Sequence, residues 1–187
     1  MKHVFRSTLL LGLLTTAFMN SEAQDKQSPS SRIRFSVGPD AALPVGNFSD
    51  GYNWGIGGSI QAEFPVVPQV LHLVANAGFL NFFNDDDKNK QGENLSFLPV
   101  KVGVKYYPIK LLYVQADAGA AFITNKTKVK ADKTAAFVYA PQVGVTVPLG
   151  GSSSIDAGFR YERVSRIVDG QHNPSYFGLR VAYGFSL

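Results

Sequence analysis

Cysteine is absent from the sequence, and with it go a disulfide framework, a thiolate metal site and a lipid-modified N-terminal cysteine. Histidine is nearly absent too, at three residues, which leaves little imidazole chemistry to distribute. Charge is modest and almost balanced: the formal net charge is +4 at pH 7, too small an excess to point to nucleic acid as a partner. Beyond residue 23 no run of about eighteen apolar residues occurs, so no transmembrane helix is available. What remains for a membrane protein is strands.

What is present begins with an export pattern. Lys2 and Arg6 precede an apolar run from Leu9 to Phe18, and Ser21-Glu22-Ala23 then supplies small residues where a signal peptidase reads. The expected organisation is a signal peptide over 1–23, a serine-rich disordered lead over 24–31 and one domain over 32–187.

The domain is organised around a hairpin from Phe97 to Phe122. On its first arm Leu98, Val100, Val102, Val104 and Tyr106 fall on one parity, against Pro99, Lys101, Gly103, Lys105 and Tyr107. After Pro108-Ile109-Lys110 the second arm sets Leu112, Val114, Ala116, Ala118, Ala120 and Phe122 against Tyr113, Gln115, Asp117 and Gly119. A period of two with an apolar face about ten residues long, ended by aromatics, is the pattern of a strand crossing a bilayer at a tilt.

The same alternation recurs to give eight strands. Tight turns are expected at Pro65-Val66-Val67-Pro68 and near residues 108 and 149, and longer polar loops over Leu43 to Gly51, Asn84 to Asn94, Asn125 to Lys133 and Ser165 to Asn173. An even strand number with short turns at one end and long loops at the other predicts an all-β, eight-stranded antiparallel up-and-down transmembrane β-barrel. Aromatic girdles are expected at Phe64, Tyr106 and Phe185 on the inner interface and at Trp54, Phe79, Phe122, Phe137 and Phe177 on the outer one. The surroundings of such a protein are outer-membrane lipids.

The opposite parity collects Arg32, Arg34, Asp40, Glu63, Lys101, Lys105, Asp117, Asp156, Arg160, Glu162 and Arg180. An eight-stranded barrel is only wide enough for its side chains to fill, so these charges are expected to form a paired interior network and not an open pore. A narrow solute channel is the alternative that this set leaves open. Inward glycines, among them Gly144, Gly158 and Gly178, leave room for long neighbours.

Catalysis finds little support. His72 lies inward with no serine and carboxylate pattern beside it in sequence, and His172 lies in a loop beside Asp169; both read as non-catalytic. Asp85-Asp86-Asp87 fails as a calcium loop, because Lys90 stands where the turn glycine belongs and Ser96 where the closing glutamate belongs. The reading is a non-enzyme without cofactor or metal, a lipid-modifying enzyme being the competitor. A soluble barrel with an apolar cavity is disfavoured by the charged inner parity. Lys126, Lys128, Lys130 and Lys133 give one loop a basic character suited to lipid phosphates or an acidic extracellular partner.

With its export pattern, its eight strands and its ending Tyr183-Gly184-Phe185-Ser186-Leu187, the chain resembles the small outer-membrane β-barrels of the OmpX-like and OmpA-like kind. Gly103-Val104-Lys105-Tyr106-Tyr107-Pro108 is similar to segments of Bacteroidetes-type barrels. The resemblance implies residence in the outer membrane and insertion by the barrel assembly machinery. Its last-strand signal maps onto Phe177, Tyr183, Phe185 and Leu187, the last standing where phenylalanine is usual. The expected role is a scaffold whose outer loops serve surface interaction or envelope integrity.

Overall fold

In the computed structural model, residues 32–85, 93–124, 134–165 and 173–186 are described. Eight strands follow in chain order: β1 Arg34–Pro44, β2 Tyr52–Val67, β3 Leu71–Asn84, β4 Leu95–Tyr106, β5 Leu112–Ile123, β6 Ala135–Gly150, β7 Ser153–Val164 and β8 Ser175–Ser186. Each pairs antiparallel with the next, and β8 returns to β1 with Arg34 opposite Ser186 and Leu43 opposite Phe177. The ring is closed, so no edge is left unpaired. The signal peptide, the lead, the lysines at 126, 128, 130 and 133, and Leu187 lie outside the described residues.

The alternation read from sequence decides which face each side chain takes. Val102 and Ile60 are 66% and 60% exposed on the outside, while Lys101 and Lys105 on the same strand as Val102 are buried inside. In water such a belt of exposed Val, Ile, Leu and Phe would be a liability; facing hydrocarbon it is the surface that holds the barrel in the bilayer. All eight expected girdle aromatics stand on this outer face. Phe35 stacks on Phe185 at one end, and Trp54 packs tilted against Phe83 at the other.

The turns after β2, β4 and β6 are short and share one rim with the start of β1 and the end of β8. Short turns mark the periplasmic rim. Gly150 and Gly151 make one of these turns with φ of +104° and +58°, a conformation open to glycine without strain.

Two connections differ from expectation. Pro65 does not end its strand: it pairs with His72, β2 continues to Val67, and the turn is Pro68-Gln69-Val70, closed by a Val70 N–H to Val67 carbonyl bond of 3.0 Å. The missing proline N–H is absorbed at a register shift between Pro65 and Val67. Leu43 to Gly51 is not all loop: β1 runs to Pro44, and Gly46–Asp50 forms a 3-10 turn that buries Phe48.

Prolines inside the wall follow the same logic. Pro39, Pro99 and Pro141 each sit where a ladder lapses for two residues on one side, between β1 and β8, β3 and β4, and β6 and β7. A residue without an N–H is tolerated where the neighbouring strand offers it no bond to complete.

Candidate functional site

The lumen is built in three layers. At its centre Lys105 Nζ lies 2.7 Å from Glu63 Oε1 and 2.6 Å from Asp156 Oδ2, and 3.8 Å from the centroid of the Tyr113 ring. Asp156 also accepts from Tyr113 Oη at 2.9 Å and from Thr146 Oγ1 at 3.0 Å. Arg180 donates Nε–H to Ser59 Oγ at 2.9 Å, and Ser59 in turn donates to Asp40 at 2.6 Å. Arg160 binds Asp40 at 2.7 Å and stands 3.2 Å from Glu162, which also pairs with Lys101 and accepts from the Tyr176 hydroxyl. Asp117 is held by the Gln115 amide at 2.8 Å.

Ten of the eleven expected interior charges thus stand in the lumen, five of each sign. Arg32 does not: it precedes β1 and is exposed. The parity read from the sequence starts two residues before β1, where no described residue pairs with it. The density of partners explains how so many charges are tolerated, since a buried ion costs several kcal/mol unless it is both paired and hydrogen-bonded.

Towards the outer rim the lumen turns apolar, which the sequence reading missed. Leu80, Phe82, Leu95, Phe97, Ile123, Val138 and Val164 all point inward and are buried, and Phe48 enters from the 3-10 turn. Phe82 packs against Phe48 at 5.0 Å, Tyr176 at 4.9 Å and Phe97 at 6.0 Å between ring centroids. An interior filled by charges alone is therefore corrected to a central charged layer beneath an aromatic plug. The available signal was apolar residues on both parities at strand ends, as in Leu80-Asn81-Phe82-Phe83.

At the periplasmic rim the packing opens into a cavity of about 360 Å³, lined by residues that include Arg34, His72, Tyr107, Lys110 and Ser154. His72 has a carboxylate partner after all, since its Nδ1 lies 3.3 Å from Glu63 Oε2. Tyr107 in the turn shares its hydroxyl with Thr146 at 3.1 Å and accepts from Arg34 at 3.3 Å, and burial pushes this phenol above its ordinary range. His72 Nε2 and Ser154 Oγ have no hydrogen-bond partner, so the serine, histidine and glutamate here are not linked as a nucleophile and its base are. Among the described residues no cluster of His, Asp or Glu is arranged to hold a metal.

A closed, eight-stranded antiparallel barrel with an apolar outer belt and a filled lumen has the fold of the small outer-membrane barrel proteins. Solved structures with this fold include Ail, the attachment invasion locus protein of Yersinia pestis, at 11% identity and a TM-score of 0.53, covering 83% of this chain and 98% of that one. Neisserial surface protein A aligns at 12% identity and 0.55, covering 83% and 96%, and the outer-membrane protein AlkL at 15% and 0.55, covering 90% and 97%. No sequence-family model matches the chain, and no curated protein sequence does. The likeness is thus one of fold.

Proposed function

We propose that this protein is a non-enzymatic outer-membrane scaffold, closed to solutes, whose outer connections carry its interactions. The observation that carries the reading is the doubly filled lumen. An aromatic plug around Phe82 lies above a layer in which Lys105, Arg160 and Arg180 are each ion-paired, and an eight-stranded bore leaves no room around such packing.

The four lysines at 126, 128, 130 and 133 give one outer connection the charge to meet an acidic surface, either lipid phosphate or a polyanionic partner. The Ail barrel, of the same fold, has been solved in complex with the heparin analogue sucrose octasulfate, which supports a polyanion as the kind of partner such barrels meet. Insertion would be served by the barrel assembly machinery acting on Phe177, Tyr183, Phe185 and Leu187.

Planar-bilayer recording of the refolded chain tests the reading. No discrete conductance steps are expected from protein whose folding is verified by heat-modifiable gel migration. Reproducible steps would put the channel in the scaffold's place.

A further inference from the structure

We propose that the periplasmic vestibule is a binding site for a phosphate oxyanion. Among the described residues its lining carries two permanent cations, Arg34 from β1 and Lys110 from the turn after β4, and no carboxylate. Glu63 lies behind it, but its oxygens are engaged by Lys105 at 2.7 Å and by His72 at 3.3 Å, so Arg34, at 3.6 Å, is the loosest of the three basic side chains around it. Lys110 makes no salt bridge among the described residues. Among the described residues the positive charge at this mouth is therefore less closely paired than that of Lys101, Lys105 and Arg160 deeper in the lumen.

Two further side chains point to a ligand. His72 is 7% exposed and Ser154 is 5% exposed, both line the cavity, and His72 Nε2 and Ser154 Oγ are both buried without a partner. Buried polar atoms in folded proteins are nearly always satisfied, so two orphans on residues that line one cavity mark a place where a polar group belongs. With Nδ1 held 3.3 Å from Glu63 Oε2, the His72 ring leaves Nε2 as its remaining polar atom at the vestibule wall. Ser154 adds a hydroxyl donor from β7, and Ser152 and Ser153 line the same wall.

Guanidinium, ammonium and hydroxyl donors around one space, with the His72 ring in the same wall, make a set suited to tetrahedral oxygens. A cavity of about 360 Å³ admits a phosphate with a small substituent and excludes a folded partner. Its position at the inner rim puts both free phosphate and the headgroup of an inner-leaflet phospholipid within reach. The inference concerns this rim alone. Conductance steps would overturn the scaffold reading and leave it standing.

The test uses the refolded chain in dodecyl maltoside, a detergent without phosphate, with backbone and histidine side-chain NMR signals as the readout. Inorganic phosphate and a short-chain phosphatidylglycerol are titrated separately, with chloride at matched ionic strength as the control. Saturable shifts of the Ser152, Ser153 and Ser154 amides and of the His72 ring are expected. Lys110→Gln, which alters only an exposed turn, and the double variant Arg34→Gln/Lys110→Gln should each weaken binding, the double variant at least about tenfold. A response to inorganic phosphate identifies the free ion as sufficient, and one to phosphatidylglycerol alone identifies the headgroup. Absence of both, equal shifts with chloride, or shifts indifferent to the double variant would overturn the site.

Discussion

A single side chain, Lys105, holds more of the lumen together than any position in the outer wall. It is fully buried and joins Glu63 on β2 to Asp156 on β7, two carboxylates that would otherwise face each other across the bore. Removing its charge leaves both in a medium that solvates them poorly, so Lys105→Met should destabilise the barrel by about 3–5 kcal/mol. Adding Glu63→Gln and Asp156→Asn to that variant should recover part of the loss, because the stranded charges are then gone. Urea unfolding in lipid vesicles, followed by gel migration, reads both; a triple variant no more stable than the single one would show that packing and not charge compensation is at stake. Such pairings were not legible in the sequence. The inward parity of Arg160 and Asp40 was, but their partnership spans 120 residues and depends on the closure that puts β7 and β1 on either side of β8. The carboxylate beside His72 was hidden likewise, since Glu63 reaches it from the neighbouring strand.

At the scale of the strand, the period of two was sufficient to place nearly every side chain, because a one-residue slip would turn the whole apolar belt inward. It failed where both parities are apolar, as at Leu80 to Phe83 and Ala136 to Tyr139, and there the plug went unseen. Inward glycines were read as space for long side chains. That holds at Gly158, where an added Cβ would meet the Gln142 amide at 2.4 Å and the Tyr113 hydroxyl at 2.5 Å, and at Gly178, where it would meet Arg160; at Gly144 it would meet both the Tyr113 hydroxyl and the Ala157 carbonyl at 2.4 Å. At Gly119 the neighbour is instead backbone: a Cβ would lie 2.1 Å from the Val100 carbonyl oxygen and 2.8 Å from Lys101 Cα. Side chains can turn aside, whereas a paired strand has to shift as a unit. Gly119→Ala is therefore expected to cost about 1–3 kcal/mol and Gly178→Ala less, with vesicle unfolding midpoints as the measure. Equal tolerance at the two positions would mean that the β4–β5 ladder yields more easily than its register implies.

Taken whole, the closed barrel proposed above is sealed twice by different physics, and the two seals should fail independently. The outer one is dispersion and burial among Phe48, Phe82, Phe97 and Tyr176; the central one is a set of ion pairs fixed by Lys101, Lys105, Arg160 and Arg180. Truncating Phe48 and Phe82 to alanine opens space only above the charged layer, so the double variant should still show no conductance steps. Truncating Arg160 and Arg180 alone leaves the aromatic plug in place and should be silent for the complementary reason. Combining the four substitutions removes both barriers along one line through the bore, and discrete steps are then expected wherever gel migration shows that the barrel still folds. Since the lumen of eight strands is otherwise only as wide as its side chains, the steps should be small and should vanish when either pair is restored. Conductance from the Phe48→Ala/Phe82→Ala variant alone would mean that the ion-paired layer is permeable and that the plug is the gate.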